Sequence, residues 1–428
     1  MDIITKLLWI VATSMILFVG SYLTVQLKFV QFRFLKMFKC VFFNGGGVSP
    51  LPSLMLTLGG RIGVGSVAGV ALALYLGGPG AIFWMIVISF IVSSITFGET
   101  VLGMKYHEAV DDSYSGGTPY YIKKGLKKPF LGICYACLVI VSYIGGFLGI
   151  QANTITKALN EVINISPLIV GFFVCFISVV IIFGGLKKIT MVINKIVPFM
   201  LGIYLLFGIY VFVTQFALMP DICYKIVSSA FCFDSIMGGF ISSFIVGIQR
   251  GIFSNEGGLG TGSLASSTSG CSLVVNGYVQ MFGIYVTMFV CVATAIIIMS
   301  FDGGVFLAND VNGIEIIVKA FYFHMSWFGY IVIITCLILF CFSTVLTGYY
   351  YGESCCNFLF KRFKGKIILF LKIVTVVVLF CGCVVSSSKL WGVIDFLVGI
   401  LCIINVYAIY ALKDEIKREC VDYDKKKC

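Results

Sequence analysis

The chain has 428 residues, 60% of them hydrophobic and only 11% charged. A water-soluble domain carries nearer a quarter charged residues, so most of this surface must face hydrocarbon. The net charge of +11 does not point to nucleic acid, because the lysines lie in short loops between apolar runs, where the positive-inside rule places them.

In chain order, about eleven runs reach the roughly 20 apolar residues that a spanning helix needs. They are Ile4–Gln26, Leu51–Leu76, Ala81–Tyr106, Phe130–Leu159, Pro167–Gly184, Val192–Gln215, Ser235–Leu264, Val275–Ser300, Ser326–Tyr350, Ile367–Val385 and Trp391–Leu412. The first has one leading lysine and no small-residue cleavage site, and so reads as a retained helix, not a signal peptide. Stretches such as Ile331 to Phe342 lack the period-two alternation of a barrel strand. The predicted class is therefore an all-α polytopic membrane protein. Its 17 cysteines lie mostly inside the apolar runs as small hydrophobes. Cys134 and Cys137 have the spacing of half a zinc site but no second pair or nearby histidine.

Loop charge orients the runs. With the N-terminus outside, the inside loops hold Lys28, Arg33, Lys36 and Lys39, then Lys105, Lys123, Lys124, Lys127 and Lys128. Lys187, Lys188 and Lys195, then Lys361, Arg362, Lys364 and Lys366, and a tail from Lys413 to Lys427 follow on that side. The outside loops hold only Lys6, Lys157, Lys225, Lys319 and Lys389. This bias places the C-terminus in the cytoplasm. Residues 29–48 mix Arg33, Lys36 and Lys39 with Phe32, Phe34, Leu35, Phe38 and Val41, the pattern of an amphipathic helix on that face.

The second and seventh runs are unusual. Residues 59–69 and 250–262 each put several glycines and an arginine, Arg61 or Arg250, at the depth of an apolar span. A run of glycines costs about 1 kcal/mol each in a helix, so both helices should unwind, and unwound backbone must line a cavity enclosed by protein. Close packing through small residues explains Gly65 with Gly69, but not Arg61, Arg250, Asn255 and Glu256. Each broken run is followed by four more, which divides the chain into an extra helix (1–28), the amphipathic segment (29–48), two inverted five-helix repeats (49–220 and 221–412) and a cytoplasmic basic tail (413–428). Inverted repeats with a discontinuous helix in each are the mark of secondary transporters. Amide groups near Gly63, Val64 and Gly65, at a half-helix N-terminus, suit a carboxylate. Carbonyls of Gly251 and Ile252, with Ser66 or Asn255, suit an ammonium group; Phe253 and Gln151 are placed to line the same pathway. Glu256 is read as a structural partner of Arg250 or Arg61, or else a proton carrier, and Glu99 as a gate or loop anchor.

The pieces Gly63 to Val70, Gly77 to Trp84 and Arg250 to Gly260 resemble the sodium:alanine (alanine or glycine:cation) symporters. So do Gly116 to Ile122, Gln151-Ala152-Asn153, Phe183-Gly184-Gly185, Phe342-Ser343-Thr344 and Tyr350 to Glu353. The likeness runs from about Ser49 to Tyr407. It implies a leucine-transporter type of fold and sodium-coupled symport of a small neutral amino acid such as alanine or glycine. It also implies a bacterial inner membrane location, no cofactor beyond the coupling ion, and a sodium site of Gly59 and Ile62 carbonyls with the Ser343 and Thr344 hydroxyls. Where the family usually reads Gly-Thr-Gly-Asn the chain has Gly63-Val64-Gly65-Ser66; where it reads Asn-Glu-Ala-Gly the chain has Asn255-Glu256-Gly257-Gly258. The usual proline and histidine that follow are replaced within Gly262 to Ser267. These departures leave proton coupling open, with a channel or a transporter-like sensor as the remaining alternatives. The oligomeric state stays open, a monomer included. An intramembrane hydrolase has no support, since the chain has two histidines, His107 and His324, and no His-Glu-x-x-His, so no enzyme is expected.

Overall fold

The computed structural model describes residues 3–43, 49–110, 113–232, 239–301, 313–360, 364–385 and 387–427. Lys361, Arg362, positions 44–48 of the amphipathic segment, the opening 235–238 of the seventh run and the last residue of the tail lie outside them. Apolar runs in a bilayer must bond their own backbone, and they do so as helices. The helices are α1 (Ile3–Gln26), α2 (Phe34–Phe42), α3 (Leu51–Arg61), α4 (Val64–Gly77) and α5 (Gly80–Lys105). After a short antiparallel hairpin, β1 (Glu108–Val110) with β2 (Ser113–Ser115), come α6 (Thr118–Lys124), α7 (Pro129–Ser142), α8 (Leu148–Ile163), α9 (Pro167–Ile182), α10 (Gly185–Thr214) and α11 (Met219–Ala230). The rest are α12 (Gly239–Asn255), α13 (Gly262–Ser266), α14 (Leu273–Met299), α15 (Gly313–Leu359), α16 (Lys364–Val384), α17 (Ser387–Ala411) and α18 (Lys413–Lys427).

Among the described residues, nine helices or helix pairs are long and apolar enough to cross a membrane. The two predicted runs beyond these are α9, with 16 residues, and the interrupted pair α12 and α13. Runs of one span are not always one helix. Tyr143–Phe147 forms a wide π turn between α7 and α8, and α15 bends at Met325 and Ser326, where Ser326 has φ 49°. The ninth predicted run starts at that bend.

The interior is built by α4 and α12 packing on each other and on α5 and α14, with α8 against α15 and α9 against α16. α1 lies outside this set, on α5 and α17. Aromatic residues near helix ends are commonly interfacial anchors, but two here are interior. Tyr120 and Tyr121 are buried, because Tyr121 donates its hydroxyl to Asn405 Oδ1 on α17. Trp327 is 65% exposed, as an interfacial anchor should be.

The predicted basic tail is a helix. α18 lies along the basic face, with Ile416 buried against the space left by Gly98. Lys105 Nζ reaches Glu415 Oε2 at 2.9 Å and Glu419 Oε1 at 3.2 Å, and Lys36 Nζ on α2 reaches Asp424 Oδ1 at 3.0 Å. Composition suggested a tail because α18 is polar almost all round; of its five acidic residues, not visible in a count of lysines, Glu415, Glu419 and Asp424 pair with Lys105 of α5 and Lys36 of α2.

Burial by itself would raise the Glu415 carboxyl, but the Tyr106 hydroxyl and the Lys105 ammonium hold it below the ordinary carboxylate value. A carboxyl lowered in the folded state stabilises docking above its unfolded range, and that contribution is lost as pH falls through the folded value. The protection of 413–427 against hydrogen exchange, measured relative to the intrinsic rate at each pH, should therefore fall as pH drops below the ordinary carboxylate range. Ile416→Asp, which forfeits on the order of 2 kcal/mol of apolar burial, should release the helix at neutral pH while the spans stay protected. Lys105→Ala, which removes part-exposed pairs, should change exchange by no more than about 1 kcal/mol.

Candidate functional site

The first broken span supplies one wall of the site. α3 stops at Arg61; Ile62 (φ −94°, ψ 87°) and Gly63 (φ −140°, ψ −148°) leave helical values before α4 begins at Val64. The carbonyls freed at the end of α3 find donors on α15. Gly59 O accepts from Ser343 Oγ at 3.1 Å and Thr344 Oγ1 at 3.0 Å, and Gly60 O from Thr344 at 3.4 Å. Both hydroxyls also lie within hydrogen-bond reach of Phe340 O one turn earlier, at 2.9 and 3.0 Å. The hydroxyls therefore meet Gly59, and each can instead turn back to a carbonyl of its own helix. The result is a buried cluster of oxygens, the donor set that a hard monovalent cation requires.

Across the break, Val64 N–H donates to Gln151 Oε1 of α8 at 3.2 Å. A side chain at Gly63 would begin 3.2 Å from that same oxygen and still nearer Thr344 Oγ1, so glycine is required for the approach. A half-helix N-terminus attracts negative charge, and here an amide oxygen covers it, in the place a carboxylate would take. Ser66 plays a different part from the one expected. Its hydroxyl donates to Arg61 O at 3.1 Å and clasps the break from within.

The second break faces the first. α12 ends at Asn255, and Glu256 (φ 50°), Gly258 (φ 83°) and Gly260 (φ 85°) turn the chain before α13. Ser254 Oγ donates to Gly65 O at 2.7 Å, joining the two broken spans. Phe253 lies against Gly65 and stacks on Phe147, with ring centres 4.9 Å apart. The ammonium half of the predicted pocket is not assembled with this wall. Gly251 packs on Ile88 and Met85 of α5, Ile252 is buried, and Asn255 Nδ2 donates to Ser89 Oγ of α5 at 2.6 Å. So Gly59, Gly63, Val64, Gly65, Gln151, Ser343, Thr344 and Phe253 come together, while Gly251 and Asn255 serve the contact with α5.

The buried charges are sorted differently from the sequence expectation. Arg250 pairs with Asp395 of α17, Nη2 to Oδ2 at 2.7 Å, both nearly sealed from solvent. Its guanidinium lies 5.0 Å from the Trp391 ring centre and 5.8 Å from that of Phe253. Glu256 forms no direct ion pair with either arginine, but it interacts with Arg61 through space, as Glu99 does. It accepts from Tyr143 at 2.7 Å, Tyr351 at 3.3 Å and Thr261 at 3.4 Å. Arg61 donates to Gln280 O at 3.1 Å, and its Nε and Nη2 have no acceptor. Glu99 accepts from Asn405 Nδ2 at 2.7 Å, and the same nitrogen donates to Gly258 O at 2.9 Å. Glu99 thus anchors the second break, not a loop. Asp395 was overlooked although it is the one acid in the run Trp391–Leu412, and an acid in such a run implies a basic partner. Ser254 and Asn405 left no such signal.

Removing one member of the Arg250–Asp395 pair leaves a buried charge alone. Asp395→Ala should therefore destabilise the protein by about 3–5 kcal/mol, whereas Arg250→Met with Asp395→Leu together should recover most of that loss. Thermal unfolding of the detergent-solubilised protein followed by size exclusion measures both.

Comparison with known proteins agrees with this geometry. The model of the sodium:alanine symporter family matches residues 1–428. The amino-acid carrier protein AlsT of Bacillus subtilis is 32% identical over 433 residues, covering 100% of this chain and 92% of that protein. The sodium/alanine symporter AgcS of Methanococcus maripaludis is 33% identical over 421 residues, covering 94% and 91%. In fold, the chain resembles a solved Na+-coupled sialic acid symporter in a substrate-bound outward-open state, with TM-score 0.60, 12% identity and coverage of 96% and 87%. The chain therefore belongs to the sodium:alanine symporter family and is a multi-pass secondary active transporter, not an enzyme.

Proposed function

We propose that the protein carries a small neutral amino acid, alanine or glycine, into a bacterial cell together with sodium, by alternating access, with its N-terminus outside and its C-terminus cytoplasmic. The observation that carries this reading is the adjacency at the first break. The Val64 amide capped by Gln151 and the oxygens of Gly59, Ser343 and Thr344 meet on the two sides of Gly63. A carboxylate at the half-helix N-terminus would displace the Gln151 oxygen, and a sodium ion beside it would share the negative charge. Close contact of Gly63 and Gly65 with Thr344, Gln151 and Phe253 favours a ligand with little side chain.

Two further points support it. AgcS is named a sodium/alanine symporter. The packing of α4 on α12, α5 on α14, α8 on α15 and α9 on α16 is the pairing expected of two inverted five-helix repeats, 49–220 and 221–412.

Uptake of labelled alanine into proteoliposomes tests the reading, with sodium, potassium or proton gradients imposed in parallel. Accumulation should require inward sodium. Ser343→Ala with Thr344→Val should raise the sodium concentration for half-maximal uptake by at least tenfold, about 1.4 kcal/mol, with the alanine requirement changed less. Accumulation driven by protons alone would transfer the coupling role to Glu256, and no uptake under any gradient would end the substrate assignment.

A further inference from the structure

A second recess lies on the basic face, bordered by the halves α3 and α13 of the two broken spans. It occupies about 710 Å³ between the first turns of α10, the last turns of α15, α13 and the hairpin. Tyr114 at its rim is 43% exposed. This volume is within the range of small-ligand sites, roughly 300–1,000 Å³.

Three acceptors of its lining lack donors. Glu353 and Asn357 stand one turn apart on α15, so they share a face, and Asn194 reaches the same recess from α10. Glu353 Oε2, Asn357 Oδ1 and Asn194 Oδ1 are all buried without a hydrogen-bond partner, and Glu353 is only 7% exposed. The hydroxyl of Tyr349, on the same helix, is a donor beside this carboxylate, and Glu353 Oε2 is left without a well-formed hydrogen bond. Buried acceptors are normally satisfied, and each one left without a well-formed hydrogen bond carries a desolvation cost. Three oxygens around one recess match the three N–H donors of a primary ammonium group.

Among the described lining residues, Lys187 is the single cation and Glu353 the single anion. Leu186, Met191 and Leu264 contribute apolar surface, and the hydroxyl-bearing Ser115, Thr190, Thr268, Tyr350 and Ser354 line the rest. One ammonium acceptor, one carboxylate partner and apolar surface describe a free α-amino acid, and the volume admits side chains larger than a methyl group.

We infer that this recess binds an α-amino acid zwitterion on the basic face, its ammonium held by Glu353, Asn357 and Asn194 and its carboxylate by Lys187. The site needs no sodium, because the oxygens of Gly59, Ser343 and Thr344 take no part in it. It also accepts larger apolar side chains than the broken-span site does. Amino acid released to that side would pause there, and a high concentration on that side would keep the recess filled. The inference rests on the proposed function only in assigning the amino acid to the transport route; the recess and its donor deficit do not depend on it.

Equilibrium binding of labelled leucine and labelled alanine to the full chain in lipid nanodiscs, in sodium-free potassium buffer, tests the site. Both should bind saturably, with leucine displaced by methylammonium. Glu353→Gln should weaken leucine binding by about tenfold, as expected for one charge-assisted hydrogen bond, and Asn357→Ala by about fivefold. Thr344→Val should leave it unchanged. Asn194→Ala is the second neutral-to-apolar variant should Glu353→Gln not fold. The inference is overturned if leucine shows no saturable sodium-free binding, or if the folded Glu353 and Asn357 variants bind as the wild type does. It is also overturned if sodium displaces leucine where an equal excess of potassium does not, since the oxygens would then form an inorganic cation site. Sodium-free binding that depends on Glu353, in a protein with no sodium-driven uptake, sinks the proposed function and spares this site. Sodium-driven uptake without such binding does the reverse.

Discussion

Backbone polar groups in a bilayer have no water to fall back on, so every interruption of a spanning helix has to be answered by donors and acceptors from elsewhere in the protein. The two breaks here are answered almost group by group. Gly59 O and Gly60 O take hydroxyls from α15, Val64 N–H takes the Gln151 oxygen, Gly65 O takes Ser254, and Ser66 O takes Thr294. In the second break, Gly258 O takes Asn405, Leu259 O takes Tyr135, and Gly260 O takes Thr118. The arrangement of α5, α7, α8, α14, α15 and α17 around α4 and α12 follows from this demand as much as from apolar packing.

Charge is handled by two different means. Arg250 has a carboxylate of its own, capped by the rings of Trp391 and Phe253. Glu256, by contrast, is solvated by hydroxyls of Tyr143, Tyr351 and Thr261. A carboxylate held by neutral donors does not depend on any one neighbour for its charge balance. The ion pair ties α12 to α17, whereas the hydroxyl shell ties the second break to the π turn of α7–α8 and to α15. Separating the ion pair costs far more than exchanging one hydroxyl, so the contact with α17 is the stiffer of the two.

Much of the architecture was legible in the sequence because hydrocarbon imposes a coarse rule, that each apolar run becomes a helix. Both breaks were legible for the same reason, since glycine runs beside Arg61 and Arg250 violate that rule. The direction of individual side chains was not. Asn255 could be placed near a break but not turned toward α5, because the rotation of α12 is set by how Gly251 meets Ile88 and Met85. Glu256 could be read as buried, yet its hydroxyl partners come from residues 143, 261 and 351, and only Thr261 is near it in sequence. α18 escaped because its polarity resembles a solvated tail, and its docking depends on pairs with α2 and α5 that no local pattern announces.

Under the proposed function, the hydroxyls of α15 would let a break be sealed and still admit an ion. Ser343 and Thr344 each have one proton and two acceptors in reach, Gly59 O across the gap and Phe340 O in their own helix. With the proton on Gly59 O, the break is closed. With the proton turned to Phe340 O, the oxygen lone pairs and the Gly59 carbonyl all face the same space. A rotation about one bond then converts a hydrogen-bonded seal into a set of oxygen ligands, and the number of hydrogen bonds made by α15 stays the same. Under the proposed function, sodium entry therefore demands no unsatisfied group at any stage. Gln151 offers the same economy on the other side of Gly63, since its oxygen holds the Val64 amide until a carboxylate replaces it. Both stand-ins belong to helices other than the broken one, so under the proposed function filling the site would free α4 from α8 and exchange the hydrogen bonds between α3 and α15 at the same moment. That release would be the physical link between occupancy and movement of the broken spans.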